Sequence, residues 1–67
     1  MKLGNRIRKY RFENSEMSQH VLADAVGVTR QTIISIEKGR YVPSTLLSLR
    51  IARVFDTTVD EIFYIID

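Results

Sequence analysis

In the stretch VTRQTIISIEKGR, Val28 to Arg40, two sets of side chains interleave at helical spacing. Ile33, Ile36 and Glu37 form one stripe, while Arg30, Gln31, Ile34, Ser35 and Lys38 fall at i, i+1, i+4, i+5 and i+8 on the other. The second set offers a guanidinium, an amide, a hydroxyl and an ammonium, groups suited to recognition by hydrogen bond and charge. Elsewhere the one histidine, His20, has Asp24 four residues on, a spacing that in principle orients an imidazole. No nucleophile, second base or glycine-rich phosphate loop accompanies that pair, so it reads as a surface pair and an enzyme is not expected. Nor is there a cluster of metal-ligating residues, so no metal and no cofactor is expected.

The chain that must position these groups has 67 residues, which predicts one domain over 1–67 rather than two cores or a deep enclosed cleft. It contains no cysteine, so neither a disulfide nor a thiolate site holds it together. Stability must come from packing, for which a hydrophobic fraction of 45% is adequate. Lys2, Arg6, Arg8 and Lys9 interrupt the first ten residues, leaving no apolar core like that of a secretory signal, and no run approaches a membrane span. The default location is the cytoplasm.

Net charge is only +2, from 10 Lys and Arg against 8 Asp and Glu, but the charges are segregated. Before Glu13 lie Lys2, Arg6, Arg8, Lys9 and Arg11 with no acid; after Arg53 lie Asp56, Asp60, Glu61 and Asp67 with no base. This suggests a basic face and an acidic end.

Five helices are predicted. Leu3, Ile7 and Tyr10 at i, i+4 and i+7 read as a first helix with its basic residues outside. Ser18 caps a second, carrying Leu22, Ala23 and Val26 and ended by Gly27; Thr29 caps the third, which Gly39 ends. Pro43 and Ser44 punctuate the start of a fourth from Thr45 to Phe55, apolar on so much of its circumference that it must be sandwiched or lie at an interface. Thr58 caps a short fifth helix, with Asp60 and Glu61 in its first turn and Val59, Ile62 and Phe63 on its core side. The β-branched and aromatic tail predicts a short strand over Tyr64 to Ile66, which needs a partner in either Met1 to Leu3 or the same tail of a second subunit.

The second helix, the turn at Gly27 and the third helix form a helix-turn-helix over about 19–38, with Ala23 at the closest approach and Leu22, Val26, Val28, Ile33 and Ile36 filling the wedge. At these positions MSQHVLADAVGVTRQTIISIEKGRYVPS resembles the Cro and phage-repressor helix-turn-helix family, also called XRE, and the likeness runs from NRIRKYR to VDEIF. It is most similar to the short single-domain regulators of the cytolysin-repressor type. The resemblance implies an all-α, five-helix domain that binds double-stranded DNA, commonly as a homodimer.

Carried over residue by residue, the resemblance places Arg30, Gln31, Ile34 and Ser35 at base edges. Gln31 would bond adenine, Arg30 guanine or phosphate, and Ile34 a thymine methyl. Ser18, Gln19, Thr29, Thr32, Lys38, Arg40 and Ser44 would contact phosphate or flank the bases. Arg11 and Glu37 resemble the family's internal ion pair, a structural role. The link FENSE before Met17 is one residue longer than usual in the family, Val21 stands where a charged residue is usual, and Asp56 replaces a glycine.

The reading is therefore a sequence-specific regulator, a repressor on a palindromic operator. Dimerisation is expected through Phe55, Ile62, Phe63, Tyr64, Ile65 and Ile66, with 64–67 as the dimerisation element, because two half-sites about 34 Å apart multiply weak discrimination. The alternative is an antitoxin or adaptor that uses the same fold to bind a partner protein through the acidic end and tail.

Overall fold

The computed structural model describes residues 1–67. In chain order it contains β1 (Lys2–Asn5), α1 (Ile7–Glu13), α2 (Gln19–Val26), α3 (Arg30–Glu37), α4 (Thr45–Val54), α5 (Val59–Ile62) and β2 (Phe63–Ile66). The five expected helices are present, joined by a two-stranded antiparallel sheet that closes the two ends of the chain on each other. No helix is long and apolar enough to cross a membrane.

The helix starts are set by hydroxyls. Ser18, Thr29 and Ser44 each accept a hydrogen bond from the amide three residues on, at 3.1, 3.3 and 3.1 Å, satisfying a donor that a helix start would otherwise orphan. Thr58 stands at the cap of α5, but its side chain makes no capping bond. Gly27 ends α2 at φ +78°, a left-handed conformation that reverses the chain at little steric cost. Asp56 does the same after α4 at φ 52°.

The link before Met17 is a tight loop. Ser15 and Glu16 both take positive φ, 56° and 54°, which lets the Met17 amide reach the Arg11 carbonyl at 2.8 Å. Two consecutive left-handed non-glycine residues are strained.

The core is one cluster in which Ile7, Leu22, Ile33, Ile51 and Ile62 are fully buried and Ala23 of α2 is 1% exposed. Burial on this scale, at about 25 cal/mol per Å² of apolar surface, holds α2 and α3 as a unit.

One expectation changes at the N-terminus, and one open alternative for the tail is resolved. Leu3 does not begin α1: it lies in β1, paired with Ile65, and α1 starts at Ile7. The helix is initiated instead by Asn5, whose Oδ1 accepts from the Ile7 amide at 3.2 Å while its Nδ2 donates to the Ile36 carbonyl at 3.0 Å. The tail strand has its partner within the chain, Lys2 opposite Ile66 and Asn5 opposite Phe63, so one of its edges is already occupied. The sheet closes tightly: a Cβ on Gly4 would collide with the Tyr64 ring, whose face carries the Arg6 guanidinium 4.4 Å from its centroid.

The expected dimer contacts also divide. Ile62 is fully buried and Phe63 is 6% exposed, so both belong to this chain's own core. Phe55 is half-buried against Tyr10, ring centroids 5.7 Å apart. Of that set only Tyr64, Ile65 and Ile66 are exposed. The α4 helix is not enclosed all round: it buries Leu47, Ser48, Ile51 and Ala52 and exposes Leu46 and Leu49.

Candidate nucleic-acid interface

Two concavities flank α3. The larger, 630 Å³, lies between α3 and the α1 and α2 starts; its walls include Arg8, Ser18, Gln19, His20, Arg30, Ile34 and Lys38. The smaller, 270 Å³, is lined by Thr29, Gln31, Thr32, Ser35, Arg40 and Tyr41. Every expected contact residue except Ser44 lines one of the two; Ser44 is exposed at the start of α4. Ile34 and Tyr41 are on opposite flanks, so Ile34 does not wall the notch that Tyr41 occupies.

A polar bracket behind the larger groove holds α1, α2 and α3 in register. Arg11 grips Glu37 with two donors, Nε to Oε2 at 2.8 Å and Nη2 to Oε1 at 3.0 Å, and its Nη1 donates to the Met17 carbonyl at 2.8 Å. Gln19 Nε2 donates to the same Glu37 Oε1 at 3.3 Å. The two charged side chains are only 12% and 10% exposed, which strengthens a bidentate pair and makes either partner costly to strand. Glu37 thereby aims Gln19, and its carboxylate is compensated by Arg11.

The free charge around α3 is consequently positive. Arg8, Arg30, Lys38 and Arg40 are exposed and make no ion pair. His20 lies 3.4 Å from Asp24, both about 70% exposed, a surface pair with no third group to make it catalytic. No set of three His, Asp or Glu side chains is placed to hold a metal ion. The arrangement suits a polyanion that presents hydrogen-bonding edges between two charged rails.

The capping residues carry two duties. The oxygens of Ser18, Thr29 and Ser44 accept from their own helix amides, and Thr29 and Thr32 hydroxyls are 3.2 Å apart. Their hydroxyl protons and the first helix amides are what remain for a phosphate. Sequence reasoning did not assign Arg8, Asn5 or Tyr41 to this face. Arg8 sits three residues before Arg11 on the same side of α1, a spacing that could have disclosed it; Tyr41 reaches the notch through a reversal at Gly39, φ +73°, which periodicity does not show.

Residues 7–62 match the sequence model of the family described as Helix-turn-helix. The chain belongs to the XRE-type helix-turn-helix family. This helix-turn-helix chain is 50% identical over 48 residues to YgzD, an uncharacterized HTH-type transcriptional regulator of Bacillus subtilis strain 168, covering 72% of this chain and 73% of the relative. It is 51% identical over 61 residues to an uncharacterized HTH-type transcriptional regulator of Methanothermobacter thermautotrophicus, covering 91% and 87%. Among solved structures, the clp gene regulator ClgR of Corynebacterium glutamicum superposes with a TM-score of 0.73 at 22% identity, over 82% of this chain and 57% of that one, which shows the shared fold.

Proposed function

We propose that this chain is a sequence-specific double-stranded DNA-binding transcriptional regulator that acts as a repressor from a palindromic operator. The observation that carries the reading is the outer face of α3, where Arg30, Gln31, Ser35 and Lys38 stand between two concavities bordered by unpaired cations. A helix so flanked fits a major groove with one phosphate strand on each side. Gln31 is exposed and free to bond adenine, and Arg30 can pair with guanine or a phosphate. Gln19, tethered through Glu37, meets the backbone in a fixed orientation, so its contact costs little ordering entropy. Such a role places the chain in the cytoplasm, with the chromosome.

The reading includes a homodimer, and the surface that supports it is α4 and the α5 start rather than Ile62 and Phe63. A groove of 780 Å³ there combines Leu46, Leu49 and Val59 with Arg50, Arg53 and Asp56. Apolar centre and both signs of charge on one patch suit a two-fold, self-complementary contact. Leu49→Asp should leave a folded monomer with weakened operator binding. A variant that still sediments as a dimer would reject this surface.

The deciding experiment is titration of the protein into a duplex from upstream of its own gene, beside a scrambled duplex, near physiological salt. Binding at least ~10³-fold tighter to the first supports an autoregulator. Equal, salt-sensitive binding to both would reduce the activity to the basic face alone.

A further inference from the structure

We propose that Tyr41 reads the C5-methyl group of a thymine at the edge of each bound half-site, extending the row of base contacts beyond α3. This inference rests on the DNA-binding reading above. Tyr41 follows α3, but the left-handed turn at Gly39 and the bond from the Arg40 amide to the Ser35 carbonyl, 2.9 Å, fold the chain back along the helix. Tyr41 thereby lines the same notch as Gln31 and Ser35.

The chemistry of the notch decides what meets the ring. Thr29, Gln31, Thr32, Ser35 and Arg40 all offer polar groups, and Tyr41 supplies the single hydrophobic wall. A phosphate or a base heteroatom has polar partners on every other side and gains nothing from the ring face. Of the groups that base pairs show in the major groove, the thymine methyl is the apolar one. Tyr41 is 48% exposed, so its ring is available to cover that methyl and is not held by the core. Ile34, the other apolar side chain near the helix face, lines the opposite groove and cannot serve this position.

The test uses the full chain and an operator selected from random duplexes. Each thymine of the selected half-site is replaced in turn by deoxyuridine, which deletes only the methyl, and affinity is measured for the wild type, Tyr41→Phe and Tyr41→Ser. At one position the wild type and Tyr41→Phe should lose about fourfold, the worth of one buried methyl group, while Tyr41→Ser should lose nothing further. Tyr41→Gln, which also lacks the ring, carries the same comparison if the serine variant proves misfolded by circular dichroism. Uridine costs identical in wild type and Tyr41→Ser would overturn the proposal. So would a Tyr41→Ser variant weakened equally on selected and scrambled duplexes, which would mark a backbone contact. Selection that returns no preferred duplex would bring down the DNA-binding reading along with this inference; a preferred duplex whose uridine costs ignore residue 41 brings down this inference alone.

Discussion

The α3 face and the α4 face are both exposed, yet they are built on opposite plans. Around α3 the outward groups are polar, and the helix that carries them is tied through Glu37 to Arg11 and Gln19, with the Arg11–Glu37 pair almost closed to solvent. Around α4 the outward groups are apolar, Leu46 at 60% and Leu49 at 55% exposure, and nothing in the chain covers them. The difference teaches that exposure alone does not mark a functional surface. A polar face signals recognition when buried partners fix its geometry, whereas an apolar face signals that burial is incomplete without a second body.

The sharpest way to break this comparison is to test where core ends and surface begins. Ile62→Ala should cost about 3 kcal/mol by denaturant unfolding, as for other buried isoleucine truncations, whereas Ile65→Ala, at a residue 63% exposed, should change stability by less than about 0.5 kcal/mol. Equal losses would mean that the tail is as much core as α5. The bracket comes next: Glu37→Ala leaves the Arg11 guanidinium without its partner and should destabilise by about 3 kcal/mol. If melting were unchanged, the bracket would be only a surface pair.

Gln31→Ala should leave the melting temperature unchanged and cost about 1 to 3 kcal/mol on the cognate duplex, with relaxed base preference there. Lys38→Ala should instead weaken all duplexes alike and reduce the slope of affinity against salt by about one. Identical behaviour of the two variants on cognate and random DNA would erase the division between reading and positioning side chains. A small gain is expected in the loop behind the bracket. Ser15 holds φ 56°, and replacing it with glycine should relieve about 1 kcal/mol of strain, read as a higher melting temperature.

Much of this was written locally. Ser18, Thr29 and Ser44 fixed the starts of three helices and Gly27 the turn, because capping and turn geometry depend on residues a few positions apart. Leu3 misled for the same reason. Its distance to Ile7 and Tyr10 satisfies a helix, but its position is decided by Ile65, at the other end of the chain. Ile62 and Phe63 are apolar in a way that serves a core or an interface equally, and only packing separates the two. Arg8 was legible from its i, i+3 spacing to Arg11, whereas Tyr41 came to the candidate site through a chain reversal, which is not a spacing.

The pairing of β1 with β2 brings residues 2–5 against residues 63–66, so its formation closes a loop of almost the whole chain. Closing such a loop costs more entropy than any helix pair here, and contacts of this separation come late in folding. The strand pair should be the last piece to assemble and the first to open, with its amides exchanging hydrogen faster than those of α2 and α3. Because Asn5 ends that strand and also starts α1 while bonding the Ile36 carbonyl, unzipping the sheet would loosen the seam between α1 and the end of α3.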